Sequence, residues 1–131
     1  MRARVVLDTN FLMMPFQFGV DIFTELERVM TVPYDIIVLD ATIKELEGIA
    51  TRAKGVDKHH AKAALTLIKR VGHTIVPADD IVDEAIVTLG QEPDVFVASS
   101  DRGVISRCPR VILLRQKSHL AIRLQNNQAT Q

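Results

Sequence analysis

Short runs with no polar residue on either face recur along this chain: Val5-Val6-Leu7, Ile36-Ile37-Val38-Leu39, Val95-Phe96-Val97-Ala98 and Val111-Ile112-Leu113-Leu114. Each has the length of a strand. A half-solvated strand alternates apolar and polar residues, whereas one without alternation is covered on both faces, as in a parallel sheet between layers of helices. The intervening segments carry helical period. Asp21 is placed to cap a helix to Met30 with Ile22, Phe23, Leu26, Val29 and Met30 on one face. Thr42–Thr51 reads as a helix opened by a Thr42–Glu45 capping box. Val56–Val71 is helical through Ala61, Ala64, Leu65 and Ile68, and Asp79 or Asp80 begins a helix carrying Ile81, Val82, Ala85, Ile86 and Leu89. Thr74–Val76 is a short strand stopped by Pro77, and Pro15 limits Phe11–Phe18 to a short broken helix. The expectation is a three-layer α/β/α domain over residues 1–124 with a central parallel sheet of about five strands. A polar tail, QNNQATQ, occupies 125–131.

With 131 residues and 47% apolar composition the chain suits one folded domain and is not disordered by default. Cys108 is the single cysteine, so neither an internal disulfide nor a cysteine-based zinc site can form, and no catalytic partner for it is evident. His59 and His60 are adjacent and lack the spacing of a helical metal pair. Arg2 and Arg4 precede apolar residues as in a signal peptide, but Asp8 and Asn10 interrupt that run and no small-residue cleavage site follows at a sensible distance. No stretch is long enough to span a membrane, and a cytoplasmic location is expected.

Net charge is zero, but its distribution is uneven. From Val71 to Asp101 there are seven acids and no Lys or Arg; from Arg102 to the end there are six bases and no acids. From Lys44 to Arg70 seven bases face three acids. An acidic block flanked by basic ones suits a cation site beside surfaces that hold an anionic polymer.

The topology says where the acids fall. In an open parallel sheet the C-terminal strand ends and the first turns of the following helices share one edge, and ligands bind in the crevice there. Asp8 follows the first strand and Asp101 follows VFVA. Glu45 and Asp83 lie in early turns of the helices after the second and third strands. Carboxylates gathered in one crevice repel and need a cation or protons. Oxygen-only ligands suit Mg²⁺ or Mn²⁺ rather than zinc, and such ions promote phosphodiester hydrolysis.

These residues resemble the PIN-domain nucleases. Val5-Val6-Leu7-Asp8-Thr9-Asn10 looks like their opening strand and motif, and Ile43-Lys44-Glu45-Leu46 is similar to their second. Asp83-Glu84-Ala85-Ile86 resembles the third, and Val97-Ala98-Ser99-Ser100-Asp101-Arg102 the fourth, with Ser99 where threonine or serine usually stands. Val111–Arg115 matches the closing strand. The resemblance spans Arg4 to about Leu124. It implies strand order 3-2-1-4-5 and Mg²⁺- or Mn²⁺-dependent cleavage of single-stranded or structured RNA. Asp8, Glu45, Asp83 and Asp101 would be catalytic metal ligands, supported by Asn10 and Ser99. The Ser-Ser-Asp-Arg and Leu-Leu-Arg-Gln-Lys-Ser-His-Leu segments look closer to the ribosomal-RNA-processing branch of archaea and eukaryotes than to toxins of toxin–antitoxin pairs, and ribosome-maturation proteins are then candidate partners. Asp40 departs from the family, where proline often stands, and would cap the helix or join the acids.

Each acid has a rival local role. Asp8 could cap the Asn10–Phe18 segment, and Asp101 could serve the turn at its strand's end. Glu45 could serve the capping box, and Asp83 could answer a helix dipole. Asp79 and Asp80 fit capping better than the site. Arg52, Lys54, Lys58 and Arg102 are candidates for phosphate contacts. Phe16 and Phe18 offer apolar surface for a homodimer. The alternatives to a processing ribonuclease are a toxin-type PIN ribonuclease and an inactive PIN-like RNA-binding or assembly module. An aspartyl phosphatase is disfavoured because Asn10 stands where a second acid is wanted, and a nucleotide-binding Rossmann domain because GxGxxG is absent.

Overall fold

A computed structural model describes residues 1–78 and 81–125. Its elements, in chain order, are β1 (Ala3–Leu7), α1 (Thr9–Phe18), α2 (Ile22–Val29), β2 (Tyr34–Leu39), α3 (Asp40–Arg52), α4 (Val56–Arg70) and β3 (Thr74–Val76). Then come α5 (Val82–Leu89), β4 (Val95–Ala98), α6 (Arg102–Ile105), β5 (Arg110–Arg115) and β6 (His119–Leu124). The sheet order is β3-β2-β1-β4-β5-β6. The first five of these strands pair in parallel, and β6 runs antiparallel to β5.

The strands divide their side chains between two cores by simple alternation. Val5, Leu7, Val38, Ala98 and Ile112 pack beneath helices α1 to α4. Val6, Ile37, Leu39, Val95, Val97, Val111 and Leu113 pack beneath α5 and α6. The apolar runs are therefore period-two patterns whose two faces are both apolar, and the expected three-layer architecture and strand order are present.

Three local expectations need correction. The sheet has six strands, because His119–Leu124 returns beside β5. The turn between them holds left-handed backbone at Gln116 and Lys117, φ 53° and 54°, without the glycine or asparagine that would advertise a hairpin. Phe11–Phe18 is not broken: α1 runs ten residues through Pro15. Burial of Phe11, Leu12, Met13 and Met14 outweighs the lost amide, and Gly19 ends the helix at φ 69°. The third correction is the capping box. Helix α3 begins at Asp40, immediately after β2, so Thr42 lies inside its first turn and caps nothing.

Asp21 does cap α2, its carboxylate accepting from the Thr24 amide at 3.1 Å. Helix α5 starts at Val82, with Ile81 as its N-cap residue. Asp79 and Asp80, expected to begin that helix, lie outside the described residues, as do tail residues 126–131. Gln125, the first residue assigned to the tail, is docked: its side-chain amide donates to the carbonyls of Cys108 at 2.7 Å and Ile105 at 2.5 Å. Among the described residues no helix is long and apolar enough to cross a membrane.

Two contacts set how the outer elements attach. Gly90 closes α5 so near the sheet that a Cβ there would stand 2.8 Å from Val97 Cγ2 and 3.1 Å from Cys108 Sγ. On the opposite face, Glu25 of α2 accepts from both Arg28 and the Leu120 amide, clasping the helix to β6. The Arg28 guanidinium first, and the Leu120 N–H second, hold the Glu25 carboxyl down to about 2.

Gly90→Ala is expected to cost about 1–3 kcal/mol by overpacking, read as a lower urea midpoint at unchanged slope. An unaltered midpoint would show that the α5–β4 contact has slack. For Glu25 the folded value of about 2 lies below the ordinary 4.5, so its stabilisation is complete above pH 4.5 and is lost as pH falls towards 2. The Tm advantage of wild type over Glu25→Gln should therefore hold from neutrality down to about pH 5 and shrink below it; an advantage independent of pH would contradict the clasp.

Candidate metal centre

Strand β1 has β2 on one side and β4 on the other, and the connections leave towards opposite faces of the sheet. The crevice between the C-terminal ends of β1 and β4 is thus the switch point where open α/β sheets hold ligands. Asp8 and the Ser99–Asp101 turn stand there. The Asp8 amide donates to the Ala98 carbonyl at 2.9 Å, extending the strand pairing by one rung into the site.

Asp8 is 3% exposed and Ser99 fully buried. The Asp8 carboxylate accepts from Ser99 Oγ at 2.6 Å and from the Thr9 amide at 2.8 Å. Ser99 Oγ in turn accepts from the Asp101 amide at 3.0 Å, and Asn10 Oδ1 accepts from the Ser100 amide at 3.2 Å. Asn10 and Ser99 thus both bond to the turn after β4. Asp101 accepts at Oδ1 from the amides of Gly103 at 2.8 Å and Val104 at 3.3 Å. The capping roles of Asp8 and Asp101 are real, yet each carboxylate retains lone pairs.

Electrostatics connects all four acids. Burial pushes the Asp8 carboxyl above its ordinary range; its two hydrogen bonds oppose this, and the charges of Asp83 and Glu45 add to the rise. Asp83, exposed in the first turn of α5, is raised by partial desolvation, then by Asp101, Glu45 and Glu84, with Arg107 opposing. Asp83 is thus coupled to each of the other three. No ion pair among the described residues involves Asp8, Glu45, Asp83 or Asp101, and Arg107 spends its own contact on Glu84 at 2.7 Å. Glu45, freed from the capping box, belongs to this field.

Among the described residues no three carboxylate, histidine or cysteine side chains are close enough together to grip one ion directly. The donor set is nevertheless all oxygen, which suits a hard cation that keeps several of its waters and takes only one or two carboxylates directly. Thr9 and Thr42, in the first turns of α1 and α3, bury hydroxyl oxygens with no partner. Orphaned oxygens at the helix ends bordering an acidic crevice call for water or hydrated ions. The residues fit a hydrated divalent cation.

Other candidates fall elsewhere. Asp40 accepts from the Ala78 amide at 3.0 Å, fastening the segment after β3 to α3 instead of capping its own helix. Arg52 closes α3 about two turns beyond Glu45 and folds over Gly48, while Lys54 and Lys58 flank the α3–α4 turn. Arg102 directly follows Asp101. Cys108 is fully buried, and burial raises its thiol to about 11, so it is inert at neutral pH. Sequence reasoning misses Arg115 and Arg123, although the acid-free stretch after Asp101 is the signal that contains them.

Comparison with known proteins agrees with this geometry. The archaeal Ribonuclease VapC4 of Methanocaldococcus jannaschii is 29% identical over 126 residues, covering 91% of this chain and 95% of that protein. The structure of the PIN domain endonuclease Utp24 superposes with a TM-score of 0.74 at 20% identity, over 93% of this chain and 92% of that one. At such identity the likeness speaks for the fold. Residues 5–117 match the family described as PIN like domain, a span that holds Asp8, Glu45, Asp83 and Asp101 together with the five parallel strands but for the first two residues of β1. This chain is a member of the PIN-like domain family.

Proposed function

We propose that this protein is a divalent-metal-dependent endoribonuclease whose catalytic residues are Asp8, Glu45, Asp83 and Asp101. The observation that carries the reading is that four carboxylates from four separate elements are electrostatically coupled around the switch-point crevice, and none of them forms an ion pair among the described residues. Family membership and the 29% identity to Ribonuclease VapC4 support ribonuclease chemistry.

When bound, Mg²⁺ or Mn²⁺ supplies Lewis acidity for the phosphate and activation of the attacking water. The chain's contribution is to hold the oxygens that receive it. Ser99 and Thr9 fix the Asp8 carboxylate in one orientation, and Ser99 relays that order to Asp101 through the 3.0 Å amide bond. Asp83 and Glu45 are exposed and complete the ligand set from the opposite helices. Asn10 holds the β4–α6 turn, so the phosphate-facing edge is built on strand ends and helix starts rather than on a free loop. Arg102 leads away from Asp101 and is the RNA contact nearest the crevice, with Arg52, Lys54 and Lys58 further out.

The two segments resembling the ribosomal-RNA-processing branch, Ser99–Arg102 and Leu113–Leu120, lead us to place the substrate among ribosomal RNA precursors and to expect maturation proteins as partners in the cytoplasm. Accumulation of uncut precursor on depletion of the protein would bear this out, and normal precursor processing would exclude it.

Labelled RNA incubated with Mn²⁺ should be cut internally by wild type, and Asp8→Asn should reduce the rate by about 10²-fold or more. In the same preparations Mn²⁺ should raise the Tm of wild type and leave Asp8→Asn nearly unmoved, because a ligand of the folded state stabilises it by about 2.7 kcal/mol at a hundredfold excess over Kd. Cleavage surviving in Asp8→Asn would remove the crevice from the mechanism. RNA bound but never cut by wild type, with no Mn²⁺-dependent Tm shift, would favour an inactive RNA-binding module.

A further inference from the structure

A groove of about 710 Å³ lies beside the acidic crevice, over the C-terminal ends of β4 and β5 between α1 and α6. It begins at Ser99 and Ser100, the turn that holds Asp8 and Asp101, and its outer lining includes Arg102, Arg115, Arg123 and Phe18. Among the described residues no acidic one lines it.

We propose that this groove carries the backbone of a single-stranded RNA leading to the crevice, with Arg115 and Arg123 on its phosphates and Phe18 as a stacking platform for a base. The proposal rests on the endoribonuclease reading and assigns the path of its substrate. Three observations converge on it.

The first is how the six bases after Asp101 are disposed. Arg107 is neutralised by Glu84, and Arg110 donates to the carbonyls of Val95, Gly90 and Glu92, so both are structural. The remaining arginines, Arg102, Arg115 and Arg123, line the groove, and no carboxylate pairs with any of them among the described residues. Arg123 is steadied only by the Gln125 amide oxygen at 3.0 Å. Guanidiniums without a carboxylate partner that line one groove suit the phosphates of a polyanion.

The second observation is the turn at the groove's outer end. Gln116 and Lys117 both hold left-handed backbone, a conformation that their Cβ atoms disfavour. From this turn the Lys117 ammonium stands 5.8 Å from the centroid of the exposed Phe18 ring. An aromatic face beside cations is the arrangement that holds unpaired bases and their backbone. Phe18 thereby has a partner chemistry other than the homodimer contact its exposure first suggested.

The third is continuity. A phosphodiester bound at Asp8 and Asp101 must continue as a polyanion, and the acid-free groove opens from the same turn. An acidic peptide would match the charge but has no use for a groove ending in a cleavage crevice.

Binding of a fluorescent single-stranded RNA, followed by anisotropy without divalent ions, tests this apart from cleavage. Arg115→Ala/Arg123→Ala should weaken binding about tenfold and lower the slope of log affinity against log salt by about 1.4, roughly 0.7 per lost phosphate contact. Gln116→Asn/Lys117→Gly should hold or raise Tm while weakening RNA, a divergence that a purely structural turn would not produce. Unchanged affinity and salt slope in the double-arginine variant would overturn the proposal, as would polyglutamate displacing RNA at equal charge concentration. Because binding is read without cutting, a protein that never cleaves would sink the nuclease reading and leave the groove result standing.

Discussion

The pairing of β1 with β4 is the constraint on which the rest of this molecule depends. It places side by side two strands whose onward connections go to opposite faces, so neither connection can fill the space above their ends. The Asp8 amide reaching the Ala98 carbonyl carries that pairing one residue beyond the strand. Everything in the crevice hangs from that rung. Ser99 meets Asp8 because the two strands are in register there, with Leu7 opposite Ala98, and Asp101 is oriented because Ser99 is.

A buried carboxylate at such a point works against stability, and the fold tolerates it through local hydrogen bonds without a cation of its own. The chain's arginines are instead deployed elsewhere. Arg4 grips Asp94 and Glu92 at the opposite end of β1, Arg28 grips Glu25 against β6, and Arg107 holds Glu84 beside the acids without reaching into them. Among the described residues no ion pair neutralises the crevice acids. The concentration of uncompensated charge at one sheet edge, acidic at β1 and basic beyond β4, is what distinguishes a working edge from a solvated surface.

Much of this is legible in the residues. Apolar runs such as Val5–Leu7 and Val95–Ala98 declare a sheet buried on both faces, and strand ends followed by acids locate the working edge. Where sequence reasoning fails, tertiary packing or absent turn signals explain it. Pro15 reads as a breaker, yet four buried neighbours on α1 hold the helix through it. The Thr42–Glu45 spacing has the form of a cap, but β2 runs straight into α3, which starts two residues before Thr42, and spacing alone cannot reveal that. Strand β6 is hidden because Gln116-Lys117 adopts a turn that sequence rules associate with Asn-Gly. The Asp40–Ala78 bond joins residues 38 apart and leaves no trace in either neighbourhood.

The Ser99–Asp8 hydrogen bond joins residues 91 apart in the chain. That distance has a meaning during synthesis. Asp8 leaves the ribosome ahead of the strand that orders it, and the serine that fixes its carboxylate emerges only after α1 to α5 have been made. Contacts of such long range form late, since the closure entropy of the intervening loop must first be offset by packing. A nascent or truncated chain ending before β4 therefore carries Asp8 without the crevice around it. Assembly of the working edge coincides with completion of the central sheet, so an unfinished molecule holds its chemistry in separate pieces.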